Sequence, residues 1–387
     1  MKSKSRYNFF WLIAALLFGI NLLVMNDVTS FWPGAETKAI QNLLLTLESP
    51  SETQSLIPYE FFKSVYRTGG LHEFKLRLLG SLGLFFTFLG FFFLGKKILG
   101  REAVLLTMLI IAGSFLIPFV AKMVVSDIWL MGAQLLQLIT LILFIKQPRP
   151  KWAYWSGGFF MMGMMVSPTS MLIWTIVLSF YFLAVHPRGK NLLNSYFYGS
   201  MLIVVLISVW LKFWQWGDTA AVFSFEDLSI KKYGIWLLLG MLPWLGFLPA
   251  ALWNMFQKLK TKEELALINL GWLVAGLLSF SLIVEFLLAF LIAKQVLFYF
   301  QANYPYKRVV KLFTLLNMLL TFLAVFAILM GGAFQFNASG YRLFLGIGAV
   351  YWISTFIGVL GVFSVRKNFV IGGITSGAML SLSLIHI

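Results

Sequence analysis

Phe31-Trp32-Pro33-Gly34-Ala35-Glu36-Thr37-Lys38 stands near the head of a long, mostly polar segment, Asn26 to Arg77, that separates two hydrophobic runs. The segment gathers Asp27, Glu36, Glu48, Glu52, Glu60 and Glu73 beside Lys38, Lys63, Arg67, Lys75 and Arg77, in a chain where charged residues make up only 11%. Apolar runs of about 18 residues or more recur after it, the length at which a helix crosses a bilayer. The segment therefore reads as a large aqueous loop between membrane spans, the place where polar chemistry is expected.

The rest of the composition agrees. At 60% hydrophobic, the chain falls in the polytopic membrane class. Inside hydrocarbon each backbone group must be satisfied within its own span, so runs this long are helices; the alternating segments of about ten residues that a β-barrel needs are absent. A net charge of +16 would suggest nucleic acid in a soluble protein, but here the positions of the cations mark topology and no nucleic-acid partner is expected. With no cysteine, disulfides and thiolate metal sites are excluded. Lys2, Lys4 and Arg6 precede the apolar run Phe9–Met25 with no small-residue cleavage site after it, so this is read as an uncleaved first span.

The fold class expected is all-α: a polytopic transmembrane helical bundle of about thirteen spans, with a long first external loop carrying short interfacial helices. The spans are read at Phe9–Met25, Leu76–Leu94, Ala103–Val120, Ile128–Ile145, Trp152–Val166, Ser170–Val185, Ser195–Leu211, Tyr233–Trp253, Leu265–Val284, Phe286–Phe300, Leu312–Met330, Leu343–Phe363 and from Phe369 onward. Lysines and arginines near span ends mark the cytoplasmic side. Lys2, Lys4, Arg6, Lys96, Lys97, Arg101, Lys146, Arg149, Lys151, Arg188, Lys190, Lys258, Lys260, Lys262, Lys307, Arg308, Lys311, Arg366 and Lys367 fall in alternate loops. All carboxylates but Glu102, Glu263 and Glu264 fall on or near the other side. The amino terminus is thus expected in the cytoplasm and Asn26–Arg77 outside.

Within that loop Ile40, Leu43, Leu44 and Leu47 recur at helical spacing, and Phe61, Phe62 and Val65 suggest a second short helix. Both fit amphipathic helices lying on the outer leaflet, close to the head group of a lipid-linked substrate. At the far end, Leu382-Ser383-Leu384-Ile385-His386-Ile387 matches the translation of a sequencing-library transposon end. Residues 1–381 are therefore taken as one transmembrane domain, with 382–387 as an adapter artefact or else a natural apolar terminus.

Several stretches carry a family resemblance. Ala35-Glu36-Thr37-Lys38-Ala39, Gly70-Leu71-His72-Glu73-Phe74-Lys75-Leu76-Arg77-Leu78, Ala121-Lys122-Met123-Val124-Val125-Ser126-Asp127-Ile128-Trp129-Leu130, Pro243-Trp244, and Trp272 with Ser279-Phe280-Ser281 occur in order along most of the chain. In that order they resemble the bacterial lipid-linked-sugar transferases that include the lipid A aminoarabinose transferase and relatives of the protein O-mannosyltransferases, within the C-type integral membrane glycosyltransferases. The resemblance implies transfer of a sugar from a polyprenyl-phosphate donor to an extracytoplasmic lipid or envelope-glycan acceptor, in a bacterial inner membrane, with the site on the external face. It implies no nucleotide cofactor, and leaves a divalent-metal requirement open. Three departures stand out. Ala35 occupies the place of the expected Asp, Met164 to Thr169 lacks the family's Lys, and the Lys and Tyr that follow Ser281 in relatives are missing, with Glu285 and Lys294 nearby instead. A catalytically inactive relative, or a transporter of lipid-linked saccharides, is the competing reading.

Glycosyl transfer with inversion needs a carboxylate to take the acceptor's proton and positive charge for the departing lipid phosphate. Glu36 is the first choice as base, or else a charge favoured at a helix N-terminus; Asp27 is the fallback. Asp127, at the head of a span, reads as an active-site carboxylate partnered by Lys122, or as a helix N-cap. Arg77 fits a phosphate fork or an i, i+4 pair with Glu73. Lys38, Lys63 and Arg67 are further candidates for the phosphate, or ordinary solvated cations. The lone His72 and His186 give no specific metal site.

Overall fold

The computed structural model describes residue 64 and residues 73–114, 116–122, 126–211, 230–242, 244–301, 303–335 and 338–384. The first span and nearly all of the loop to residue 72 lie outside the described residues, and with them the two interfacial helices. Among the described residues the only regular structure is helical.

The first described helix, α1 (Glu73–Gly90), continues through a π-helical turn at Phe91–Gly95 into Lys96–Leu99. It ends at Gly100, whose φ of 85° suits a residue without a Cβ. Next come α2 (Arg101–Ala112), a short α3 (Leu116–Ala121) and α4 (Asp127–Lys146). α5 (Pro150–Val166) and α6 (Pro168–Val185) each open on proline, whose missing N–H is harmless in the first turn. α7 (Ser195–Trp210) is capped by Asn194, which accepts from the Tyr196 N–H at 3.0 Å. The chain continues as α8 (Ile230–Gly240), a turn at Trp244–Phe247, α9 (Leu248–Lys260), α10 (Glu264–Leu278), α11 (Ile283–Tyr299), α12 (Lys307–Gln335), α13 (Ala338–Phe363) and α14 (Lys367–Leu384).

The helices fall where the hydrophobic runs place them, but three runs are broken. The run read as Ala103–Val120 parts at Gly113-Ser114, where the Ser114 hydroxyl donates to the Ile111 carbonyl at 2.8 Å. The run Tyr233–Trp253 bends by 97° between α8 and the turn leading to α9. The run Leu265–Val284 stops at Leu278 and restarts at Ile283. As a result, three helices among the described residues are long and apolar enough to cross a membrane unaided, Arg77–Leu99, Asp127–Lys146 and Pro168–Val185, with a fourth if the bent pair counts as one span. The expected count of about thirteen is not confirmed by this measure, which covers the described residues alone.

α4 is the hub. It is almost wholly buried and packs on α1 and α5, while α5 meets α7, α6 meets α10, α2 meets α11, and α12 to α14 pack in succession. The outward faces are apolar: Leu202, Ile203, Leu206 and Val209 on α7, and Leu312, Leu315, Leu316 and Leu319 on α12, are all exposed. In water such stripes would be a liability; against lipid tails they are the expected surface, and the protein is an integral membrane protein.

Candidate functional site

The site is built where α1 and α4 begin. The two helices run parallel and very close: a Cβ on Gly83 would lie 3.0 Å from the Trp129 indole, and one on Gly90 would lie 2.7 Å from Leu136, while Gly132 faces Thr87. Small residues at such contacts let helices in a membrane approach backbone to backbone. The starts of α1 and α4 are thereby brought side by side. α3 joins them, with the Ser81 hydroxyl donating to the Ala121 carbonyl at 3.4 Å.

This packing buries three of the expected site residues. Arg77 is 2%, Lys122 3% and Asp127 4% exposed. Ser126, not Asp127, takes the N-cap position, and Asp127 begins the first turn of α4, where the helix dipole favours a negative charge. The expected bond between Lys122 and Asp127 is not made: the Lys122 ammonium is buried without a hydrogen-bond partner. Burial, and then the charge of Arg77, bring that ammonium down from 10.5 to about 8. Two cations thus lie together, and the ammonium of one is a buried, unsatisfied donor.

A second polar group lies deeper. Gln134 is seven residues beyond Asp127 on α4, about 10 Å farther along the axis at 1.5 Å per residue. Its amide oxygen accepts from the Ser281 hydroxyl at 2.5 Å, and its amide nitrogen has no partner. The turn joining α10 to α11 is held there from three sides: the Tyr233 hydroxyl donates to the Ser281 carbonyl at 2.6 Å, Trp272 Nε1 donates to the Ile283 carbonyl at 3.0 Å, and Ser281 reaches Gln134. Phe280 within it has φ 48°, a strained value for a bulky residue that surrounding contacts must maintain.

Beside this turn sits Glu285, fully buried, with both carboxylate oxygens lacking a hydrogen-bond partner. Ser114 and the Ile117 backbone face it, and it fits because its neighbour across the gap is Gly240, where a Cβ would come within 3.0 Å of Oε1. The sequence had marked Glu285 only as a departure from the family pattern. The stronger signal was available: a carboxylate inside an apolar run is costly and is kept for a reason.

Of the remaining expected residues, Glu73 begins α1 one turn before Arg77. Glu36, Asp27, Lys38, Lys63 and Arg67 lie outside the described residues. The site is thus described on the side of Arg77, Lys122 and Asp127.

Comparison with known proteins bears on this end of the bundle. The family described as dolichyl-phosphate-mannose-protein mannosyltransferase matches residues 59–214, a segment that contains Arg77, Lys122 and Asp127. No curated protein sequence matches the chain. Among solved structures, ArnT from Cupriavidus metallidurans bound to undecaprenyl phosphate has a TM-score of 0.68 at 14% identity, over 99% of this chain and 77% of that one. The same protein in its apo state gives 0.66 at 16% identity, with the same coverage. The apo Archaeoglobus fulgidus oligosaccharyltransferase gives 0.54 at 13% identity, over 96% of this chain and 55% of that one. In its matched segment and in its fold, the chain resembles the C-type integral membrane glycosyltransferases.

Proposed function

We propose that the protein transfers a glycosyl group from a polyprenyl-phosphate carrier to a lipid or envelope-glycan acceptor on the external face of a bacterial inner membrane. The observation that carries this reading is the burial of Arg77 and Lys122 side by side at the start of α1 and α4. They are paired as a receptor for a phosphate group in a low-dielectric setting, where fixed charge acts most strongly on a leaving group. Support comes from the fold shared with ArnT, whose structure contains undecaprenyl phosphate.

In the proposed reaction the acceptor oxygen attacks the anomeric carbon and forms the new C–O bond. The bond from that carbon to the carrier phosphate breaks, and its electron pair leaves with the phosphate onto Arg77 and Lys122. The acceptor's proton passes to a carboxylate. Glu36 is assigned as that base, with Asp27 as fallback and Asp127 as a further candidate. Lys38, Lys63 and Arg67 serve the phosphate from the loop, and Glu73, one turn before Arg77 on α1, orients its guanidinium.

Ala35, at the place of the family's Asp, favours a second reading, a relative that binds or moves lipid-linked saccharides without transferring them. Glu36→Gln separates the two. On the proposed mechanism the variant still binds carrier lipid but loses about 100-fold or more in transfer, the scale of a lost general base. Unchanged transfer would move the base to Asp27 or Asp127, and carrier binding by a wild-type protein that transfers nothing would favour the second reading.

A further inference from the structure

A different site lies at the opposite end of the bundle, the end that carries Lys146, Arg188 and Lys258. Between α9, α10 and α11 is a small cavity of about 30 Å³ lined among others by Asn254, Lys258, Glu263, Asn269, Lys294 and Gln295. That is room for about two waters. Its mouth is wet, since the Lys258 and Glu263 side chains are 35% and 41% exposed.

The charges do not balance. Lys258 pairs with Glu263 at 2.8 Å, while Lys294 has no ion pair among the described residues and meets only the Phe290 ring, 5.7 Å away. Lys294 feels the repulsion of the Lys258 ammonium and the weaker attraction of the Glu263 carboxylate, so the three groups together keep one net positive charge. A lysine inside an apolar helix is costly unless it has a partner or a task, and Lys294 stands five residues before the end of α11. Asn254 donates to Gln295 at 3.4 Å and Gln295 donates to Tyr304, so two of the amides are fixed. Asn269 is not: it is 4% exposed, and its amide oxygen has no partner. A half-turn of that amide brings its NH₂, a donor, to the place of the orphaned oxygen. The first turn of α10, through Leu265 and Ala266, also lines the cavity and adds the positive end of a helix dipole.

We propose that this cavity binds a phosphate group, with Lys294 as the principal cation, Lys258 at the mouth and the Asn269 amide as donor. The phosphate belongs to a membrane phospholipid or to a soluble phosphate ester. The two sources share the phosphate chemistry, and the test distinguishes them. On the topology read from the cations, this end faces the cytoplasm, so the site is separate from the one at Arg77.

The test uses the full chain in lipid nanodiscs of phosphatidylcholine with and without phosphatidylglycerol, with native mass spectrometry counting retained anionic lipid. A parallel arm in detergent measures the shift in melting temperature on adding inorganic phosphate. The wild type is expected to retain phosphatidylglycerol, and Lys294→Gln and Asn269→Asp to lose it several-fold while melting normally in pure phosphatidylcholine. The two variants fail for different reasons, loss of a cation and introduction of a repelling charge, so misfolding of one leaves the other to decide. A phosphate-induced shift present in the wild type and absent in both variants, without a lipid difference, supports the site and assigns it a soluble ester. Equal lipid retention and equal phosphate response in all three proteins overturns the proposal.

Discussion

At the level of single residues, the chemistry turns on Lys122. Its ammonium is lowered by burial and by Arg77 to about 8, so a bound phosphate anion draws it back toward the charged form. Carrier binding is expected to weaken as pH rises through about 8, because the proton the phosphate needs is then lost. Lys122→Arg keeps its charge throughout and should flatten that fall; Lys122→Met should weaken binding by about tenfold or more at neutral pH, the scale of a charged hydrogen bond. Titrating a fluorescent polyprenyl phosphate against the three proteins across pH 6 to 10, about two decades either side of 8, checks both. Glu285 poses the complementary question. Its oxygens are buried beside the Ser114 hydroxyl and the Ile117 backbone but make no hydrogen bond of standard geometry, an arrangement that costs stability. Glu285→Gln is therefore expected to melt no lower than the wild type. A lower melting temperature would make Glu285 structural. The sequence brought Arg77, Lys122 and Asp127 into view through their place at span heads, and the structure buries all three. It left the partner of Lys122 wrong. A Lys five residues before an Asp looks like an ion pair, but the short α3 turns the lysine toward α1 instead.

At the level of helices, the hydrophobic runs placed nearly every described element and missed the breaks. A run of apolar residues reports where lipid or core surrounds the chain, not whether the backbone within it stays helical. Gly113-Ser114 and Ser279-Phe280-Ser281 interrupt helices without interrupting hydropathy, and both breaks border Glu285 or its neighbours. Close approach explains why these helices need glycine at particular points. At Gly240 an added Cβ would lie 2.7 Å from the Leu116 Cβ and 3.0 Å from Glu285 Oε1, and a Cβ cannot swing away as a side-chain end can. Gly240→Ala should cost about 1–3 kcal/mol, the range for overpacking a core, read as a lowered melting temperature. Gly158→Ala, where nothing lies within 4 Å, should not, and in a helix interior alanine is the better residue.

At the level of the whole molecule, the two ends of the bundle differ in kind. One end buries Arg77, Lys122 and Asp127; the other ties its loops together with exposed charge. There Lys146 lies 3.2 Å from Glu264, His186 Nε2 lies 3.5 Å from the same carboxylate, and Asn191 donates to the Ile145 carbonyl at 2.7 Å. His186 Nδ1 accepts from the Arg188 N–H at 3.1 Å, which leaves the proton of the neutral ring on Nε2, facing Glu264. Burial is the largest influence on His186, and with Lys146 and Arg188 it outweighs Glu264, so the imidazole is lowered from 6.5. The unfolded chain then binds the proton more readily than the folded one. Stability should fall as pH drops below about 6.5, and His186→Gln should remove that part of the fall, as followed by melting temperature between pH 5 and 7, the range in which an ordinary histidine titrates at about 6.5.

The central claim concerns the whole protein at work, and lipid mass spectrometry of living cells tests it most directly. Polyprenyl-phosphate sugars and envelope glycolipids would be compared in cells with the intact gene, without it, and with Arg77→Ala. The account predicts that one lipid-linked sugar accumulates and one glycan modification disappears when the gene is lost, and that Arg77→Ala reproduces both changes with normal protein levels. Unchanged carrier and glycolipid pools in cells that lack the protein, against cells that express it, would contradict the transferase assignment.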